Sequence, residues 1–225
     1  MYIVALSGQK WYDTVSWIND SSYKAGDLLQ DAQWIYVCLG VDIAFSHLYN
    51  PQKKQPYGIF QAEKICTNFI SANTLTCIHW MVQQYFSSYK HVCSLFVPDG
   101  IEKKLPSKQQ ISKTLIEQSC ILFPDLWTLS QTYPLNHELP NTAILHGWMT
   151  SLQKRKLFWL IRSWEVHTLL ATNRGLFFSW HNLKNITIYQ ATKRAYSAQA
   201  DPRFVLQETA KKIAEVYGAK IQYTS

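Results

Sequence analysis

Trp34-Ile35-Tyr36-Val37-Cys38-Leu39-Gly40-Val41-Asp42-Ile43-Ala44-Phe45-Ser46 is the stretch on which the fold turns. Trp34 to Leu39 is an unbroken apolar run of strand length, rich in β-branched and aromatic side chains. It predicts a strand buried on both faces. Val41 to Tyr49 predicts a second strand. Asp42 sits inside that second apolar run. A buried carboxylate is costly unless it is paired or holds a cation, so Asp42 is the leading candidate for chemistry. The ordinary alternative is an acid on the wet side of an edge strand, or one capping the turn after Gly40.

Working outward, residues 2–6 and 11–18 predict a hairpin joined by Ser7-Gly8-Gln9-Lys10. Asn50 to Pro56 is a loop. Leu75, Ile78, Val82, Tyr85 and Phe86 fall at helical spacing and predict a helix within 61–89, with Asn73 capping its second half. His91 to Val97 predicts a strand stopped by Pro98-Asp99-Gly100. Ser107 opens a helix, with Gln110 in capping-box position. Cys120 to Leu129 contains Pro124 and predicts a strand end or bend. Leu157–Ile161, Val166–Thr172 and Leu176–Trp180 predict three short strands, the last two joined by Asn173-Arg174-Gly175 as a hairpin. Asp201-Pro202 starts a helix whose stripe is Leu206, Ala210, Ile213 and Tyr217, ended by Gly218. Ala219 to Tyr223 is a final strand. The order predicts an α/β fold with a mixed sheet and flanking helices.

The chain has 225 residues, 47% of them hydrophobic and 16% charged. That composition supports a packed core and excludes a disordered chain. The length fits a single α/β domain over 1–225, divisible into lobes 1–140 and 141–225. The net charge is +7. Residues 1–100 carry six Lys, no Arg and seven acids, against eleven Lys, five Arg and eight acids in 101–225. A basic half implies nucleic acid, an anionic membrane surface or an acidic protein as partner. The adjacent runs Lys154-Arg155-Lys156 and Lys211-Lys212 read as solvated turns or helix faces. Aromatic and basic residues interleave at Lys156-Leu157-Phe158-Trp159 and Arg162-Ser163-Trp164, a composition suited to base stacking and equally to a strand with a charged outer face.

Five cysteines, an odd number with no CxxC pair, predict a reducing compartment. No signal peptide and no apolar stretch of about 18 residues is present, so the expectation is a cytoplasmic protein without a membrane span. The sequence contains no GxxxxGK[ST], GxGxxG, GxSxG or HExxH. That removes P-loop NTPases, standard dinucleotide-binding enzymes, most α/β-hydrolases and common zinc peptidases. No two of the seven histidines lie at i, i+4 on a helix. His79 reads as a satisfied core or boundary residue. His167 and His181 fall on predicted neighbouring strands without an identifiable third ligand. Cys93 and Cys120 are candidate nucleophiles only if partly exposed and electropositive.

From His91 onward, the order of pieces carries a resemblance. Val92 to Pro98 leads to Leu105-Pro106-Ser107, to a helix ending near Glu117-Gln118, to Phe123-Pro124-Asp125, and on to Tyr133. Later come Leu157–Ile161, Val166–Thr172 and Asn173-Arg174-Gly175-Leu176-Phe177-Phe178-Ser179. This resembles the actin-like cytoplasmic proteins of type IV pilus assembly and type II secretion (PilM-like and GspL-like), over about residues 34–185. The resemblance implies a ribonuclease-H/actin-like fold and a nucleotide contact at Asp42 and Ser46. Where the family reads Asp-Ile-Gly-Ser, this chain reads Asp42-Ile43-Ala44-Phe45-Ser46. Ala44 and Phe45 crowd the place where backbone must approach a phosphate, which predicts a degenerate site without ATP or Mg²⁺.

These readings lead to three functional expectations. The first is a non-enzymatic scaffold docking subunits of a bacterial envelope assembly. It would bind the cytoplasmic segment of a membrane partner, peripheral to the inner membrane. The second is a metal-dependent nuclease of ribonuclease-H-like fold, with Asp42, Glu63, Asp99 and Asp125 holding two ions that activate water. The third is a basic nucleic-acid-binding module whose affinity falls steeply with salt.

Overall fold

The structure is a computed structural model. It describes residues 2–7, 16–17, 22–30, 35–40, 63–98, 100–101, 116–133, 139–192, 196 and 202–224. The chain falls into two compact units, Met1–Glu102 and Lys103–Ser225. Both combine strands with helices, which makes this an α/β protein.

The first unit holds β1 (Tyr2–Ser7), β2 (Ser16–Trp17), β3 (Leu28–Gln30), β4 (Ile35–Gly40) and β5 (Glu63–Cys66). They form one antiparallel sheet in the order β2-β1-β4-β3-β5. Ile35 to Leu39 are all buried, as the unbroken apolar run requires. The expected strand over 41–49 lies outside the described residues, as does most of the expected strand over 11–18.

Two helices come next, α1 (Ala72–Tyr85) and α2 (Tyr89–Phe96). The expected helix over 61–89 is therefore cut at both ends. Residues 63–66 extend as β5 because β3 offers them a ladder, with Leu29 opposite Lys64 and Gln30 opposite Glu63. The cap of α1 is Ser71, whose Oγ accepts the Thr74 N–H at 3.2 Å, and not Asn73. The expected strand over 91–97 is helix α2. Ser88 caps it by accepting the His91 N–H. Tyr89, Val92, Cys93 and Phe96 lie on one buried face at i, i+3, i+4, i+7.

A tight passage holds this unit together. Gly26 adopts φ +88°, and an added Cβ would lie 2.2 Å from the Ile70 carbonyl oxygen. Its N–H donates to Cys38 O at 2.8 Å and its own carbonyl accepts from Ile70 N at 3.0 Å. Asp27 beside it is 1% exposed. Its carboxylate accepts from the backbone N–H of Lys24 (2.9 Å) and Asn68 (3.2 Å) and pairs with Lys64 Nζ at 3.2 Å. Asp27 is thus a structural anchor.

The second unit holds β6 (Gln118–Leu122), β7 (Thr142–Leu145), β8 (Thr168–Ala171), β9 (Leu183–Tyr189) and β10 (Lys220–Thr224), with helices α3 (Leu126–Thr132), α4 (Ser151–Arg162) and α5 (Leu206–Tyr217). Its sheet is parallel throughout, in the order β10-β9-β6-β8-β7. The expected mixed sheet is resolved into one antiparallel and one parallel sheet. The parallel sheet draws strands from both sides of residue 140.

Two strand expectations fail here for identifiable reasons. Residues 157–161 belong to α4, which a reciprocal capping box starts. The Thr150 hydroxyl accepts from Gln153 N (3.3 Å), and Gln153 Oε1 accepts from Thr150 N (2.8 Å). Leu157, Phe158 and Ile161 are its buried face. Residues 173–176 form a short 3-10 turn, and 177–180 an irregular buried link in which Trp180 Nε1 donates to Leu176 O. No hairpin forms, because the neighbours of β8 are β6 and β7. Helix α5 keeps its expected stripe, with Leu206, Ala210, Ile213 and Tyr217 buried and Gly218 closing it at φ +63°.

Gln118 is the polar hub of this unit and has no exposure. Its Nε2 donates to Ile161 O (3.0 Å) and Val166 O (3.2 Å), and its Oε1 accepts from His181 N (3.0 Å) and Asn182 N (3.3 Å). Gln118→Leu removes four hydrogen bonds from the side chain to backbone. It is expected to cost about 3 kcal/mol or more in urea unfolding. Gly26→Ala, which meets both a clash and a positive φ, is expected to cost about 2–4 kcal/mol in the same measurement.

Candidate nucleic-acid interface

Asp42, Ser46 and Asp99 lie outside the described residues. Glu63 is an exposed residue opening β5 in the first unit. Asp125 belongs to the second unit and caps α3, accepting the Thr128 N–H at 2.7 Å. Among the described residues, no three His, Cys, Asp or Glu side chains are grouped to hold a metal.

The candidate nucleophiles are structural. Burial pushes the Cys93 thiol on α2 up to about 12. Burial likewise raises the Cys120 thiol on β6. Both stay protonated and inert. His79 Nε2 lies 3.1 Å from Leu39 O, and Nδ1 lies 2.8 Å from the Tyr89 hydroxyl. Burial lowers its pKa. A neutral ring donating to the carbonyl and accepting from the phenol satisfies both contacts. His167 and His181 precede β8 and β9, which flank β6 on opposite sides, so they are not on neighbouring strands.

The parallel sheet brings a different set together. All five strands run the same way, so the segments leaving them gather at one carboxyl edge. In open α/β sheets this edge is where ligands bind. The turn after β7 carries His146 and Trp148, the latter 84% exposed. The His146 ring meets the Trp148 indole edge-on at 6.3 Å. After β8 comes the 3-10 turn with half-buried Asn173 and exposed Arg174. After β6 comes α3 with Trp127, 73% exposed. Strands β7, β8 and β6 are consecutive neighbours. At about 4.8 Å per strand, the three segments issue from about 10 Å of sheet edge. In strand order, the segment carrying Arg174 comes between those carrying the exposed Trp148 and Trp127.

Gly175 makes the middle segment possible. A Cβ there would stand 2.0 Å from Ala171 Cβ. No side chain fits, and the turn lies flat against β8.

Between β6 and β9 the crossovers diverge, one toward β7 and one toward β10. This switch point is filled. Tyr196 has no exposure, and its hydroxyl lies 2.6 Å from Tyr189 O and 3.1 Å from Leu122 O. Burial first, and the negative Asp125 second, raise its phenol pKa. Phe123 stacks on Tyr189 at 4.7 Å alongside.

The aromatic and basic interleaving visible in the sequence falls on 156–164. There, Leu157, Phe158, Arg162 and Trp164 are buried. Among the described residues, the exposed indoles are Trp127 and Trp148. Each comes after a strand that ends in a polar or proline-bearing turn, which was the available signal.

His181 supplies a pH test of this unit. Its ring stacks on Trp164 at 4.9 Å. Burial first, and the nearby Arg162 guanidinium second, lower its pKa from 6.5 to about 4, against an opposing hydrogen bond that the ring donates to the Arg162 backbone carbonyl. The folded state holds it neutral, whereas the unfolded chain takes up a proton below pH 6.5. Its contribution to stability is complete above pH 6.5 and declines as pH falls toward about 4. Urea unfolding at a series of pH values is expected to show that decline in the wild type and a shallower one in His181→Phe.

No protein-family model and no curated protein matches this chain.

Proposed function

We propose that the second unit binds single-stranded nucleic acid along the carboxyl edge of its parallel sheet. The observation that carries this reading is the row Trp148, Arg174, Trp127 on three neighbouring strand ends. Indoles held open to solvent are stacking platforms for unpaired bases, and a cation between them suits the phosphate that links those bases.

Charge supports the same reading. Lys103–Ser225 holds sixteen Lys and Arg against seven acids, a net of +9, whereas Met1–Glu102 holds six against eight, a net of −2. The excess of positive charge is thus confined to the unit with the open indoles. A polyanion is drawn to it through counterion release, with no need for sequence readout. This reading asks no chemistry of the described acids, and Asp125 caps a helix. The reading is therefore binding without cleavage.

A second reading keeps the expectation of an actin-like, cytoplasmic scaffold, and a different feature favours it. Among the described residues, β10 is an edge strand with Lys220, Gln222, Tyr223 and Thr224 exposed. An extended segment of a membrane partner would add to that edge by strand pairing. A photo-crosslinker at Gln222 that captures an envelope-assembly subunit would favour it.

Fluorescence anisotropy with a labelled single-stranded oligonucleotide tests the primary reading. Binding is expected to weaken with salt, each phosphate contact adding about −0.7 to the log–log slope. Trp148→Ala and Trp127→Ala are each expected to weaken binding about 5- to 100-fold. Arg174→Ala is expected to lower the magnitude of the slope by about 0.7. Binding indifferent to salt and to all three changes would reject the site.

A further inference from the structure

The switch-point crevice of the second unit is occupied by the chain's own phenol. Two carbonyls at strand ends, Leu122 O on β6 and Tyr189 O on β9, converge on one hydroxyl. In a sheet of this order, those strand ends diverge toward opposite neighbours and leave a gap that a ligand fills. Here the side chain of residue 196, seven positions beyond the end of β9, lies between them with no exposure.

We infer that Tyr196 is a tethered ligand: it closes a latent site whose chemistry selects a phenol-sized aromatic alcohol. Three features define the pocket. The two carbonyls accept and cannot donate, so the occupant must bring a hydroxyl proton. The Tyr196 ring is wholly buried, so the occupant must be a flat apolar body with one polar end. The Asp125 carboxylate caps α3 at the same end of β6 and repels a phosphate. Nucleotides, which are anionic at their phosphates, are excluded on the last ground as well as by occupancy. The inference concerns the crevice and stands apart from the nucleic-acid reading of the outer edge.

The experiment is chemical rescue. Tyr196→Ala removes the ring, and its melting temperature is measured with and without p-cresol, beside wild type and Tyr196→Phe. p-Cresol at millimolar concentration is expected to raise the melting temperature of Tyr196→Ala and to leave wild type unmoved. Toluene is expected to rescue less, since it lacks the proton the carbonyls need. Tyr196→Phe is expected to melt about 3 °C below wild type. Mg²⁺-ATP is expected to shift none of the three. Should Tyr196→Ala fail to fold alone, it is refolded in p-cresol, where recovery supports the inference and continued failure overturns it. A folded Tyr196→Ala indifferent to p-cresol, equal rescue by toluene, or a Tyr196→Phe as stable as wild type would each overturn it. So would stabilisation of Tyr196→Ala by the nucleotide.

Discussion

A single buried amide organises the second unit. Gln118 stands at the start of the central strand β6 and spends both ends of its side chain on backbone. Its amide donates to the last turn of α4 and to the entry of β8, and its carbonyl takes the two N–H groups that lead into β9. Three chain segments, remote in sequence, are thereby registered against one strand. A buried polar group is tolerated only when satisfied, and this one is fully satisfied only if all three segments are in place. The parallel order of the sheet, and everything at its far edge, depends on that condition.

In the first unit, the corresponding constraint is steric and electrostatic at once. Gly26 lets the chain pass against Ile70 where no Cβ fits, and the next residue buries a carboxylate. The Asp27 side chain is buried at acceptable cost because two backbone N–H groups and Lys64 surround it. Lys64 in turn donates to Ser22 O and lies over the Tyr23 ring at 5.7 Å. The ion pair ties the turn before β3 to β5, which is why residues 63–66 are a strand and not the first turn of a helix.

The two ends of the parallel sheet differ in kind. The amino end is closed by the hydrogen-bonded Gln118 amide and by the His181 ring stacked on Trp164. At the carboxyl end, the switch point is closed by Tyr196 and the flank beside it is left open with Trp127, Arg174 and Trp148. Exposed indoles forgo a large hydrophobic gain. Such exposure next to a cation is the physical basis for assigning that flank to binding.

The amino-acid sequence by itself determined what depends on local pattern. Residues 35–39 had to be a doubly buried strand because every position is apolar. Helix α5 and its stop at Gly218 came from a clean period of 3.6 and a residue at ease with positive φ. The charge imbalance and the missing phosphate-loop motifs were equally plain. The capping box Thr150–Gln153 was also legible there, and it would have turned 157–161 into a helix. Tertiary structure decided the rest. Residues 91–97 are a short apolar run that fits either period, and the surface it meets selects the helix. Whether β8 pairs with residues 176–180 or with β6 depends on crossover geometry, which no local turn signal encodes. The candidate site joins Trp127, Trp148 and Arg174, brought to one edge because strand order, and not chain order, sets which loops are neighbours.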